Sequence, residues 1–167
     1  HVQRHFLPTG CMHCTDAPCV QACPTGASMQ RKDGIVFVKQ ELCVGCRYCM
    51  VVCPYGARQV NEEGDAEYFE AGPTPYEAYG AGRHQKGGVI KCSFCAERID
   101  LAISRGLTPG DDRDATPACV GSCIAGARYF GDLDDEDSEV SRLIRARDGK
   151  PLQEEIGTGP RVYYLPR

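Results

Sequence analysis

An α+β fold organised around a repeated cysteine module is what this sequence predicts, and three observations predict it. The 167 residues carry 12 cysteines that fall into three sets of four. Short helical stretches alternate with short extended ones between those sets. The chain has 19 glycines, 11 prolines, 5 phenylalanines, 8 tyrosines and no tryptophan, which leaves little material for a large apolar core, so something other than burial must help hold the fold. The length suits one domain or two very small ones.

The first set is Cys11, Cys14, Cys19 and Cys23, spaced C-x2-C-x4-C-x3-C and followed by Pro24. The second is Cys43, Cys46, Cys49 and Cys53, spaced C-x2-C-x2-C-x3-C and followed by Pro54. The third, Cys92, Cys95, Cys119 and Cys123, has a middle gap that holds Ala96 to Ala118. Disulfides need an oxidising compartment and defined pairs, whereas closely spaced C-x-x-C steps aim successive thiolates at one place. Structural zinc also takes four thiolates and would suit the third set seen alone. The second set decides for iron and sulfur: C-x2-C-x2-C-x3-C-P is the bacterial ferredoxin run, which wraps three thiolates round a cubane [4Fe-4S] cluster.

In that run the fourth cysteine sits on the following turn and ligates the other cluster of the pair. Crossed ligation therefore predicts one cluster on Cys11, Cys14, Cys19 and Cys53, and a second on Cys43, Cys46, Cys49 and Cys23. The fourth cysteine of each set also opens a repeat: Cys23-Pro24-Thr25-Gly26-Ala27, Cys53-Pro54-Tyr55-Gly56-Ala57 and Cys123-Ile124-Ala125-Gly126-Ala127. Each glycine is expected to end a short helix in a left-handed conformation. Three modules leave one without a mate. In the crossed reading Cys92, Cys95 and Cys119 hold a third cluster whose fourth ligand lies upstream of His1 or on another chain, and Cys123 serves a fourth cluster. In the closed reading Cys92, Cys95, Cys119 and Cys123 hold one cluster among themselves.

The remaining elements follow the modules. Helices are expected at Ala17 to Ala22 and Tyr48 to Val52, a strand at Gly34 to Val38 after the Asp33-Gly34 turn, and a weaker strand at Ala57 to Val60. Together these predict a pseudo-two-fold, two-cluster, bacterial ferredoxin-like core over residues 1–60. Residues 61–91 read as an inserted, mostly irregular surface loop, in which Tyr68, Tyr76 and Tyr79 serve local packing or contact a partner. The third cysteine module occupies 92–131, with a helix from Cys95 to Arg105 whose Ile99, Leu101, Ala102 and Ile103 offer an apolar face, and a loop from Leu107 to Thr116. Residues 132–167 form a C-terminal tail. There an acidic run, Asp132 to Glu139, precedes a helix from Ser138 to Arg147 that presents Val140, Leu143 and Ile144 on one face. Arg161 to Leu165 is extended, and the tail is expected to clasp the cluster core or a neighbouring subunit.

Side chains beside the cysteines come next. Arg47, Arg58, Arg98 and Arg128 lie close to ligands in the chain and would favour a more reduced, more negative cluster; ordinary surface salt bridges are the alternative. His13, between Cys11 and Cys14, is expected near the cluster or at the surface rather than as a ligand, since its set already has four thiols. A formal net charge of −4 argues against a nucleic-acid partner. No apolar run approaches the roughly 18 residues of a membrane-spanning helix. The chain starts at His1 rather than Met, which points to a processed or partial piece.

At Cys11-Met12-His13-Cys14, Pro18-Cys19, Cys23 to Ala27, Cys43 to Cys53, Cys92-Ser93-Phe94-Cys95 and Tyr129 to Leu133, the chain resembles the four-cluster iron–sulfur subunits of membrane-associated molybdopterin oxidoreductases of the polysulfide, thiosulfate, tetrathionate, sulfite and dimethyl sulfoxide type. The closing Gly157 to Tyr164 is similar to the end of the polysulfide-type subunits. The resemblance implies a further cysteine module before His1, and Ile124 departs from its usual proline. It implies a non-catalytic subunit that passes single electrons between a molybdopterin-containing catalytic subunit and a quinone-reactive membrane subunit. Such a subunit would be peripheral to the membrane through its partners, on either face. A polyferredoxin, a ferredoxin-like subunit of a hydrogenase or formate complex, and a zinc-stabilised interaction module are the other readings. No Ser/His/Asp set or phosphate loop stands beside the cysteines.

Overall fold

A computed structural model describes residues 7–62 and 72–166. The chain divides into two compact units, His1–Cys92 and Ser93–Arg167. Tyr68 lies outside the described residues.

In the first unit, helix α1 (Pro18–Gln21) leads into strand β1 (Ser28–Gln30), which pairs antiparallel with β2 (Val36–Val38), Met29 opposite Phe37. Pro18 opens α1 because its missing N–H and fixed φ suit the first helical position. The turn between the strands is tied by Arg31, whose Nε donates to Asp33 Oδ2 at 3.1 Å, and by Ile35 N–H, which donates to Asp33 Oδ1. Helix α2 (Tyr48–Val51) packs on α1. Strand β3 (Gln59–Val60) then pairs with β4 (Val89–Ile90), so the segment between them leaves and rejoins the unit at one place. Asn61 closes that base: its N–H donates to the Gly88 carbonyl and its carbonyl accepts from Gly87, both at 2.8 Å. Gln40 adds a bond to the Val89 carbonyl at 3.0 Å.

The segment expected to be irregular carries a helix, α3 (Pro75–Ala81). Thr74 and Glu77 form a reciprocal capping box at its start, which satisfies two of the first turn's donors and offsets the poor helix propensity of the glycine and aromatic residues that follow. Tyr79 is exposed, with the Arg83 guanidinium 5.1 Å from its ring centroid.

In the second unit, helix α4 (Ala96–Ile103) packs on a single 3-10 turn at Arg113–Ala115. Its buried residues are Ile99 and Ala102, while Leu101 and Ile103 are exposed. The expected four-residue apolar face is thus only two residues wide, because the packing partner covers only the part of the helix surface at Ile99 and Ala102. Phe94 and Phe130 meet edge to face at 5.5 Å. Helix α5 (Ala118–Gly121) carries the last cysteine module.

Helix α6 (Glu139–Ala146) starts where expected, with the Ser138 hydroxyl accepting from Ser141 N–H at 3.3 Å. The acidic run before it does local work: Asp132 and Asp135 each accept the N–H two residues on, at 2.9 Å. After α6, β5 (Lys150–Pro151) pairs antiparallel with β6 (Tyr163–Tyr164), and Arg147 Nη2 donates to the Pro166 carbonyl at 2.8 Å. The tail therefore folds back on its own helix end.

Candidate metal centres

Each cysteine module is a four-residue helix with cysteine in second place, Cys19 in α1, Cys49 in α2 and Cys119 in α5. The next cysteine follows four residues later and opens a tight turn. Gly26 donates to the Cys23 carbonyl at 3.2 Å, Gly56 to Cys53 at 3.2 Å and Gly126 to Cys123 at 3.1 Å. The glycines have φ of +67°, +57° and +56°. Their left-handed backbone is as expected, but they close Cys-x-x-Gly turns rather than helices; α1 already ends at Ala22 in a right-handed conformation. The turn aims the next N–H groups at the cysteine. Ser28 N–H donates to Cys23 Sγ, and Ala127 N–H to Cys123 Sγ, both at 3.4 Å. Burial pushes the Cys23 thiol up, yet hydrogen bonds from the Ser28 N–H, the Thr25 side chain and the Thr25 and Ala27 backbone outweigh it and its pKa is lowered.

Two cavities lie in the first unit. One is lined by Cys11, Cys14, Cys19 and Cys53. The other is lined by Cys23, Cys43, Cys46 and Cys49. Each takes three thiols from one set and one from the other. A zinc ion would draw four sulfurs to about 2.3 Å from a single centre. Among the described residues no three His, Cys, Asp or Glu side chains converge closely enough to hold one ion; here the thiols ring a space. Four thiols, apolar walls and backbone donors at Cys23 and at Cys43, whose Sγ accepts from Val89 N–H at 3.5 Å, make a donor set that fits a cubane cluster in each cavity.

Arg58 lines both cavities. It is 4% exposed, and its Nη2 donates to Cys19 Sγ at 2.9 Å. Burial raises the pKa of Cys19 and of Cys49, and the Arg58 charge opposes that rise at both. Burial acts to lower the pKa of Arg58 itself, but the two thiols outweigh it and the net shift is upward. Arg47 is exposed and holds the left-handed position before α2, at φ +64°, on the rim of the second cavity. Arg98 makes the surface salt bridge given as the alternative: its guanidinium bonds the Arg113 carbonyl at 2.9 Å and faces exposed Asp114 at 3.5 Å. Arg128 is exposed and its charge helps lower the pKa of Cys123, after the Ala127 N–H.

Sequence reasoning placed His13 near a cluster or at the surface. It is fully buried, and its Nδ1 accepts from Val36 N–H at 3.0 Å, which fixes the β2 strand under the first cavity. It missed Lys91, whose Nζ donates to the carbonyls of Val36 and Cys92 and whose charge faces Cys11; burial lowers its pKa. It also missed Gly45, at φ +67°, where an added Cβ would lie 2.5 Å from the Gly87 carbonyl oxygen. The C-V-G-C spacing signalled a tight loop there, but not the chain pressed against it.

The third set is split by the division of the chain: Cys92 closes the first unit, while Cys95, Cys119 and Cys123 belong to the second. Cys95 Sγ accepts from Ala118 N–H at 3.5 Å, at the start of α5, and Cys119 is exposed.

Residues 2–69 match the family of 4Fe-4S dicluster domains. The chain is 43% identical over 161 residues to an iron–sulfur subunit ascribed to a dimethyl sulfoxide reductase of Halobacterium salinarum, covering 96% of this chain and 55% of that one. It is 42% identical over 165 residues to a sulfite dehydrogenase subunit of Allochromatium vinosum, covering 98% and 56%. It is 37% identical over 190 residues to the arsenate respiratory reductase iron–sulfur subunit of a Shewanella species, covering 98% and 76%. The chain thus spans little more than half the length of the first two relatives. With cysteines ringing two cavities and likeness along nearly its whole length, the chain belongs to the family of [4Fe-4S] iron–sulfur subunits of the molybdopterin oxidoreductases.

Proposed function

We propose that this chain is an electron-transfer subunit with two [4Fe-4S] clusters in its first unit, one held by Cys11, Cys14, Cys19 and Cys53 and the other by Cys43, Cys46, Cys49 and Cys23. The observation that carries the reading is the crossed lining of the two cavities. The clusters, when bound, supply one-electron storage without bond chemistry. The chain's own residues hold them, exclude water through buried Met12, Ala17 and Val36, and set their potentials through N–H donors to sulfur and nearby charge. Arg58 forms a wall common to both cavities, so an electron moving from one to the other would cross little more than this residue and its neighbours.

The spacing of Cys92, Cys95, Cys119 and Cys123 supports further clusters, with Cys123 reaching to one completed by a module outside these residues. The names of the relatives support a place in an oxidoreductase complex; a position between a molybdopterin-containing catalytic subunit and a quinone-reactive membrane subunit is what the family resemblance implies. Among the described residues no helix is long and apolar enough to cross a membrane.

Iron, labile sulfide and electron paramagnetic resonance of the reduced chain test the ligand sets. Cys53→Ser should remove or convert the cluster of the first set's thiols, and Cys23→Ser that of the second's, with each loss near four iron per chain. Each serine variant disturbing the cluster of its own set instead would replace the crossed assignment with a closed one.

A further inference from the structure

We propose that Arg58 is a single cation shared by both cluster sites, a positioning residue that raises the two reduction potentials together and eases the presence of an added electron on each. The inference rests on the cluster reading above and deepens it.

The geometry points to sharing rather than to a private contact. Among the described residues Arg58 is the one arginine that lines both cavities, and it is buried to 4% exposure. Its fork donates to Cys19, a thiol of the first cavity, at 2.9 Å, and its charge acts on Cys49, a thiol of the second. Each nest gathers four thiolates, and reduction adds one more negative charge. A guanidinium cannot shed its proton in a protein, so its charge is present in every redox state. In a buried setting that charge acts over short distances with little screening. Because it bonds a ligand of the first nest and lines the second, stabilisation of the reduced form falls on both.

The repeat shows how one cation came to serve two sites. Arg58 follows Gly56-Ala57, and the matching place after Gly26-Ala27 is Ser28. Ser28 is 3% exposed, and its N–H already serves Cys23. The two modules are alike in backbone but unequal in charge: the first puts a small hydroxyl at this place, the second a long cation that spans to both cavities. A pair of arginines at the two places would set two buried positive charges against each other in the same region.

The test uses the full chain, reconstituted anaerobically with iron and sulfide, carrying Arg58→Gln or Arg58→Lys. Iron content and redox titrations followed by paramagnetic resonance are read for both clusters. Arg58→Gln should keep both clusters and make each about tenfold harder to reduce, a fall of about 59 mV in each midpoint for a one-electron couple. Arg58→Lys keeps the charge but replaces the fork by a point, and should lower both midpoints by a smaller step, about threefold. A shift at one cluster alone, or at neither, in the loaded variants overturns the proposal. So does loss of both clusters from Arg58→Lys, which would make the residue an assembly element. If Arg58→Gln alone fails to load, the two midpoints of Arg58→Lys decide. Absence of cubane signals from the unaltered chain would instead refute the underlying cluster reading.

Discussion

The modules of the first unit and the one in the second have the same backbone and different surroundings. Helices α1, α2 and α5 are each four residues long with cysteine second, and each is followed by a Cys-x-x-Gly turn with a left-handed glycine. Yet Cys19 and Cys49 are buried where α1 and α2 pack together, whereas Cys119 is exposed. Arg58 is buried while Arg128, at the same offset, is exposed, and Ile124 is wholly exposed where the other modules have proline. The module is a local structure that forms wherever its sequence occurs. A dry pocket ringed by thiols forms where two modules pack on each other, and the second unit contains one copy.

That contrast can be broken at the glycines. Gly45→Ala should have the largest effect, because the new Cβ meets the Gly87 carbonyl at 2.5 Å and must also adopt φ near +67°. Loss of the cluster at Cys43, Cys46 and Cys49, with the first cluster retained, is the expected outcome, read as about four iron per chain fewer. Gly126→Ala meets nothing within 4 Å and bears only the left-handed backbone cost of about 1–2 kcal/mol. Thermal unfolding should show that modest loss, with both first-unit clusters unchanged. If Gly126→Ala proved as damaging as Gly45→Ala, the second-unit module would not be an open copy.

The smallest effect is the most pointed. Ile124→Pro restores the residue found after Cys23 and Cys53, in a turn of the same kind. It should stabilise the chain by about 0.5–1 kcal/mol, chiefly by restricting the unfolded state, and it removes an exposed apolar side chain. A denaturant midpoint that fell instead would mean that the third turn differs from the other two in more than its sequence.

Much of this was legible beforehand, and the exceptions share a cause. Pro18, Ser138 and the three repeat glycines act through their own backbone and neighbours, so the starts of α1 and α6 and the signs of φ could be read directly. Strand β1 was not foreseen, since Ser28-Met29-Gln30 has little strand character and is extended through its pairing with β2. Helix α3 had a readable signal in Thr74 and Glu77, obscured by the glycine, proline and tyrosine around it. Leu101 and Ile103 were expected on an apolar face and are exposed, because burial follows the packing partner and not the count of apolar residues.

By itself the sequence determined the spacing of the thiols, the turns that present them and the repetition of both, since these depend on backbone sterics and hydrogen bonds within a few residues. Tertiary structure alone decided that the end of a long insert presses against Gly45, and that one of two equivalent arginines lies inside between two cavities while the other lies in water. Those outcomes depend on which surfaces meet, and contacts between residues far apart in the chain leave no periodic mark in it.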